Sequence, residues 1–282
     1  MRGRGRGRGG GFRSGGDEIR LPETKKPVLT NSVVREAFEG YQLELDARHD
    51  KMERIIKLSR DVTIESKRII FQLHRITTDS DKDGLLDTVF QRICRVRTDL
   101  FESIAKELVG EDPFQYLRGY TFGLQEYIEA TSFFFFLKER RLISWTETQL
   151  ALVFGAGSQP TVSLKVEVPL NDYLLGVSDL GGELMRFAIN SVSSGDLKAP
   201  ASVRDFLRSV HRGFCLLGNS MNCRDFPFKA RVWLQSLVKV EFALYTLHLR
   251  ASEVPEHLLA QVLLASSSQA LPQEEEEEDY NF

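Results

Sequence analysis

A chain of 282 residues that is 42% hydrophobic and 27% charged has ample apolar material for a core, which excludes a small scaffold dependent on disulfide or metal staples. The cysteines Cys94, Cys215 and Cys223 are few, odd in number and form no C-x-x-C pair, as expected of a reduced intracellular protein. The net charge of −3 conceals a strong polarity along the chain. Arg2, Arg4, Arg6, Arg8 and Arg13 load one end, while Glu274 to Glu278 and Asp279 load the other. Neither end has apolar residues to bury, so 1–31 and 267–282 are expected to be disordered tails around one folded domain, 32–266. The first residues lack the apolar stretch of a secretory signal. The run Phe133 to Phe136 is far shorter than the roughly 20 apolar residues a bilayer crossing needs, so a soluble protein is expected.

Helical patterning begins near residue 32. Phe38, Tyr41, Leu45, Met52, Ile55, Val62, Ile69, Leu73 and Ile76 follow a three-and-four spacing interrupted only by Arg48, Ser59 and Ser66, the seam of one long helix in a bundle. Asn31 or Ser32 is placed to cap it, and TTDSDKDG ends it. A second helix is predicted from about Leu85 to Leu108, with Leu86, Val89, Ile93, Val96, Leu100, Ile104 and Leu108 inward. Asp112 and Pro113 open a third, which runs to about Arg140, and a shorter one spans about Ser144 to Phe154. Gly155 to Pro160 breaks the pattern. Val162, Leu164, Val166 and Val168 then alternate in strand fashion, but without a second strand signal they are read as an extended connection. Helices resume at about Leu170 to Ser193, Ala201 to Leu217 and Phe228 to Arg250, with a short one after Pro255. The fold expected is all-α, a single-domain bundle of about seven helices.

Two segments carry the chemistry. GLQEYIEA places Glu126 and Glu129 three residues apart, hence one turn apart on one face of the third helix. Ala130 and the following phenylalanines make the next turn apolar on every side, which predicts burial. A buried carboxylate is costly unless it is paired, protonated or bound to metal. GVSDLGGELMR sets Asp179 and Glu183 four apart, again on one face. Gly176, Gly181 and Gly182 interrupt that helix at about 1 kcal/mol each relative to alanine, and would permit close approach of another helix or a substrate backbone. Within their own helices, only Glu183 has a basic residue three or four positions away, Arg186. Two readings stand: a divalent cation held by oxygen ligands, or solvated acids with partners distant in sequence. With a cation, the chemistry indicated is phosphodiester hydrolysis, with a carboxylate outside the ligand set as general base.

GLQEYIEA and DYLLGVSDLGGELMR, together with ELDARHDKMERIIKLSRDVTIESKRIIFQLHR of the first helix, resemble the motifs of the translin/Trax family, and particularly its metal-binding Trax-type branch. The similarity runs in order and spacing from about residue 33 to about residue 265. It implies a helical subunit that joins translin in a closed hetero-octamer, an endoribonuclease dependent on Mg²⁺, with Mn²⁺ as a substitute, that cleaves single-stranded RNA. The family's substrates are passenger-strand fragments during activation of the small-RNA silencing complex, and tRNA fragments. By motif matching, Glu126, Glu129 and Asp179 are the implied catalytic carboxylates. Glu129 and Glu183 are the foremost implied metal ligands, with Asp179 beside them. Binding of single-stranded DNA, and presence in cytoplasm and nucleus, are further implications. The chain departs from the family in its arginine-glycine tail and in 154–164, away from the four acids. The alternative is a non-catalytic nucleic-acid-binding or scaffold partner of translin.

Other features point to bland roles. DSDKDGLLD begins like a calcium loop, but Phe90 stands where the bidentate acid belongs, so a helix connection is expected. His49, His74, His211, His248 and His257 show no metal-ligand spacing and are read as surface or packed side chains. Arg48, Lys51, Arg54, Lys57 and Arg60, joined by Lys67, Arg68 and Arg75, spiral around the first helix among acids, as a salt-bridged face or as phosphate contacts. The arginine-glycine tail is the better single-strand binder. The phenylalanines and the Trp233 to Tyr245 region are expected to pack.

Overall fold

The computed structural model describes residues 32–155, 164–193, 198–221 and 223–250. Asn31 as a cap, both expected tails, Val162 and the short helix after Pro255 lie outside the described residues. Helix α1 (Ser32–His74) ends in a 3₁₀ turn, Arg75–Thr77. Helix α2 (Lys82–Arg95) continues through a π-helical stretch, Val96–Phe101, into α3 (Glu102–Glu107). Then come α4 (Pro113–Glu139), α5 (Trp145–Ala151), the two-residue strands β1 (Val153–Phe154) and β2 (Leu164–Lys165), α6 (Leu170–Ser193), α7 (Ala199–Leu217) and α8 (Phe226–Arg250). Taking the unbroken run from α2 to α3 as one, the described residues form seven helices and little strand, as expected. None of the described helices is long and apolar enough to cross a membrane.

The chain divides into two compact units, 1–47 and 48–282. The described part of the first is the opening stretch of α1. Its Phe38, Tyr41 and Leu45, predicted to belong to the buried seam, are about 60% exposed. Periodicity marks a face, but burial needs a partner to cover it. In the second unit the seam is buried as predicted at Ile55, Val62, Ile69, Leu73 and Ile76. Ser59 and Ser66, apparent interruptions, lie buried on the same line.

Ser59 has a specific neighbour. A Cβ on Gly123 of α4 would stand 2.7 Å from the Ser59 carbonyl oxygen and from its Oγ, and one on Gly119 would stand 2.8 Å from Met52 Sδ. Small residues on both helices therefore let α1 and α4 approach closely. The α2–α3 run solves a register problem by other means. Val96 and Phe101 are five residues apart and both buried, a spacing that an α-helix would turn to different faces and that the π stretch brings back to one.

Helix α4 is the centre of the second unit. Residues 127–134 are buried without interruption, so more than two turns are covered on every side, as the apolar run predicts. Against it lies α6, which also contacts α7 and α8. Asp172 at the start of α6 accepts hydrogen bonds from Thr121 and from Gln125 Nε2 (2.7 Å) of α4. At Gly176 an added Cβ would meet the Gln125 carbonyl oxygen at 2.7 Å and Ile128 Cβ at 2.9 Å. A Cβ added at Gly181 would stand 2.7 Å from the ring of Trp233 in α8, whereas one at Gly182 would meet open space. Helix–helix approach explains two of the three glycines.

The region after α4 departs from expectation. Helix α5 has a reciprocal capping box between Ser144 and Glu147, but it stops at Ala151, so Phe154 is not helical. Val153 pairs with Lys165 and Phe154 with Leu164 in antiparallel register. The Gln149 side chain bonds Val166 O (3.0 Å) and Val168 N (2.9 Å). The segment read as an unpaired extended connection thus finds partners in α5 and β1. Backbone groups leaving a helix need hydrogen bonds, and a two-residue ladder is too short to show as alternation.

Replacing Gly176 by alanine forces a methyl against backbone. It is expected to destabilise by about 1–3 kcal/mol, whereas Gly182→Ala should be neutral or stabilise by up to about 1 kcal/mol. Chemical denaturation of the two variants beside the parent protein measures both.

Candidate functional site

The close approach of α4 and α6 at Gly176 brings the acidic pairs of the two helices into one electrostatic field. Glu126 and Glu129 come from α4, Asp179 and Glu183 from α6. Helix α1 adds Lys67 and His74, seven residues apart and so on one face, and α8 adds Lys229. Lys67 Nζ lies 3.0 Å from Glu126 Oε1. Lys229 Nζ donates to Asp179 Oδ2 at 2.6 Å. His74 Nε2 is 2.5 Å from Glu183 Oε2, and Arg186 Nη1 donates to both Glu183 oxygens at 2.8 and 2.6 Å. Glu129 differs from the other three. It is 9% exposed, and no hydrogen bond or ion pair reaches it from the described residues.

The acidities follow from these environments. Burial, then the negative charges of Asp179, Glu126 and Glu183, push the Glu129 carboxyl up to about 8, against a smaller opposing pull from Lys229. At Glu183 burial also acts upward, but the His74 hydrogen bond and Arg186 outweigh it and hold the carboxyl below the ordinary carboxylate value. The Lys67 ammonium is raised by its hydrogen bond to Glu126 and that residue's charge, and further by the fields of Glu129 and Asp179. Glu129 thus lies in the field of the other three acids.

Among the described residues no group of three or more His, Cys, Asp or Glu side chains is close enough to hold a metal ion. Lys67, Lys229, His74 and Arg186 instead engage three of the four carboxylates. Partners distant in sequence compensate Glu126, Asp179 and Glu183, and only Glu129 keeps a buried, unpaired carboxyl. In kind, the donors fit a hard divalent cation, which takes carboxylate oxygens. Glu129 is where such an ion would remove an electrostatic penalty.

The remaining expectations are quickly placed. Asp81 of the calcium-like loop caps α2 by accepting from Gly84 N at 2.9 Å, and Asp79 accepts from Asp81 N, so the loop serves as a helix connection. All three cysteines are free. Trp233 is fully buried and donates to Leu207 O at 3.0 Å, while Tyr245 is exposed. His74, read as merely surface or packed, faces Glu183. Sequence reasoning missed His74, Lys67 and Lys229 as members of the site. The seven-residue spacing of Lys67 and His74 was the available signal, whereas Lys229 had none.

A family model described as the Translin family matches residues 50–251. Translin-associated protein X of Pongo abelii is 45% identical over 264 residues, covering 89% of this chain and 90% of that protein. Among solved structures, apo-NeC3PO superposes with a TM-score of 0.57 at 19% identity, over 73% of this chain and 94% of that one. AfC3PO in complex with duplex RNA does so with a TM-score of 0.54 at 17% identity, over 80% and 97%. At these identities the two structures show a shared fold.

The weakened acidity of Glu129 has a sign in stability. Between its ordinary value of 4.5 and about 8, the folded state holds a proton that the unfolded state has released. Stability of the metal-free protein should therefore fall as pH rises through this window, by on the order of 1 kcal/mol per pH unit. Glu129→Gln should flatten the dependence. Denaturant midpoints measured in EDTA across pH 5–8 test it, and equal slopes for the two proteins would remove Glu129 as the cause.

Proposed function

Because the chain belongs to the translin family, we propose that it is the catalytic subunit of a metal-dependent endoribonuclease that assembles with translin and cuts single-stranded RNA. The observation carrying this reading is Glu129: a carboxyl between packed helices, made a weak acid by burial and three neighbouring carboxylates, with no cation paired to it among the described residues. Perturbed acids of this kind cluster at functional sites. The Pongo abelii relative bears association with translin in its name, and AfC3PO was solved on duplex RNA. Both support a translin partner and an RNA ligand here.

In this reading Glu129, Asp179 and Glu183 would hold Mg²⁺, or Mn²⁺ in its place, once Asp179 and Glu183 turned to the ion from Lys229, His74 and Arg186. The ion, when bound, supplies charge neutralisation at the scissile phosphate and a more acidic water. Glu129 would have to give up its proton to serve as a ligand, which would couple metal affinity to pH. Glu126, outside the ligand set, accepts the proton of the attacking water. Lys67, released from Glu126 by that proton transfer, presents its charge to the phosphate. His74 fixes the Glu183 carboxylate from the α1 side, and Lys229 fixes Asp179 from α8. A hetero-octamer, passenger-strand and tRNA fragments as substrates, single-stranded DNA as a second ligand, and residence in nucleus and cytoplasm belong to the same proposal.

A second reading has its own observation. The ion pairs at Glu126 and Asp179 compensate two of the three proposed catalytic acids without a metal, as in a non-catalytic scaffold for translin. Co-expression with translin and assay of a fluorescent single-stranded RNA in Mg²⁺ or EDTA separates the two. We expect cleavage in Mg²⁺ alone, loss of it in Glu129→Ala, and a fall of about 10²–10⁴-fold in Glu126→Gln. Undiminished cleavage by the assembled Glu129→Ala complex would sink the site assignment. RNA binding without cleavage in either condition would establish the scaffold.

A further inference from the structure

On the other side of Lys67 from the acids lies a cavity of about 380 Å³, lined by Lys67, Arg68, Phe71, Gln72, Arg75 and Arg92. Four of these six residues are cationic and none is acidic. In their midst stands Phe71, 74% exposed, although its neighbours Ile69, Ile70 and Leu73 are buried. The ring lies on the solvent side of α1, with no aromatic contact among the described residues. Two of the three guanidiniums are tied by hydrogen bonds: Arg92 donates to Gln72 Oε1 (2.9 Å) and Glu65 Oε2 (2.7 Å), and Arg68 donates to Glu65 Oε1 (2.6 Å). Each guanidinium has five N–H donors, so most remain available to a ligand. Arg75 is tied only to Asp79, at 4.0 Å.

Fixed cations around one bare aromatic face match the two chemistries of an unpaired nucleotide, a phosphate and a base with an exposed π-surface. A duplex hides its base faces in its own stack and offers only phosphates, so it would leave Phe71 unused. The position is equally specific. Lys67 lines this cavity and also touches Glu126 at 3.0 Å, so the cavity and the acidic site share one side chain.

We propose that this pocket between α1 and α2 is a subsite for one unpaired nucleotide of single-stranded RNA, with Phe71 stacking on its base and Arg68, Arg75 and Arg92 holding the flanking phosphates. As a subsite for substrate, it rests on the nuclease reading. As a binding site, it is testable apart from it. A volume of this size lies within the range of ligand pockets.

The test uses the full chain assembled with translin, in EDTA, and a fluorescein-labelled oligouridylate followed by anisotropy. Phe71→Ala is expected to weaken binding by about tenfold, the scale of one lost base–aromatic stack. Arg68→Ala combined with Arg75→Ala is expected to reduce the slope of log affinity against log salt by about one. Phe71→Trp should retain affinity, and its added emission, relative to the parent protein, should be quenched by the RNA but not by inorganic phosphate. Parent-like affinity in assembled Phe71→Ala would overturn the proposal. So would equal quenching by phosphate, which indicates an anion site without a base. Emission from Phe71→Trp that shifts to the blue on assembly and ignores RNA would mean that protein covers the ring, and would overturn it too. Because binding is read without metal, the two readings fail separately. Weak binding by Phe71→Ala with undiminished cleavage by Glu129→Ala ends the nuclease assignment and leaves the pocket. Normal binding with abolished cleavage does the reverse.

Discussion

Helix α4 carries a carboxylate into the middle of an apolar packing layer, and the arrangement around Glu129 is organised by the energetic consequence. Residues 127–134 are buried in succession, and Glu129 among them is 9% exposed. An ionised carboxyl there lacks the hydrogen bonds that would offset its desolvation. Asp172, a buried acid on the same helix pair, shows the contrast: Thr121 and Gln125 satisfy it, and it serves to fasten α6 to α4. Glu129 has no such fastening role and no such partner. It is a group whose charge must be supplied with compensation from outside the protein, or whose proton must be kept.

The glycines make this possible. Gly119 and Gly123 bring α1 against α4, and Gly176 brings α6 against it. With ordinary side chains at these contacts the helices would separate, and the fields of Asp179, Glu126 and Glu183 at Glu129 would weaken with distance. Helix approach and site electrostatics are thus one constraint. The penalty for glycine in a helix is met where a backbone or a tryptophan ring takes the vacant volume, and at Gly182 the space is left open.

Around this centre the cations form an outer layer. Lys67 and His74 on α1, Arg186 on α6 and Lys229 on α8 each take one of the other carboxylates. Lys67 is the hinge between two surfaces, acids on one side and the arginine-lined cavity with Phe71 on the other. Charge therefore changes sign across one side chain, an arrangement suited to holding a polyanion beside a group that acts on it.

Much of this was legible from the sequence. The three-and-four periodicity of α1 from Ile55 onward, the Asp112-Pro113 opening of α4, the limits of α6 and the burial of the phenylalanine run are local properties, set by side chains a turn apart. The pairing of Glu126 with Glu129 and of Asp179 with Glu183 on helical faces is local too. The tertiary structure alone decided what met those faces. Phe38, Tyr41 and Leu45 repeat with the right period yet stay exposed, because a period does not say whether anything covers it. Val153 and Phe154 leave the helix because Leu164 and Lys165 are there to pair. Lys67, His74 and Lys229 reach the acids from 59, 109 and 50 residues away. Coulombic compensation depends on distance in space, which spacing along one helix does not contain. For that reason the sequence could mark four carboxylates as a set, and only the packed helices could show that three have partners and Glu129 has none among the described residues.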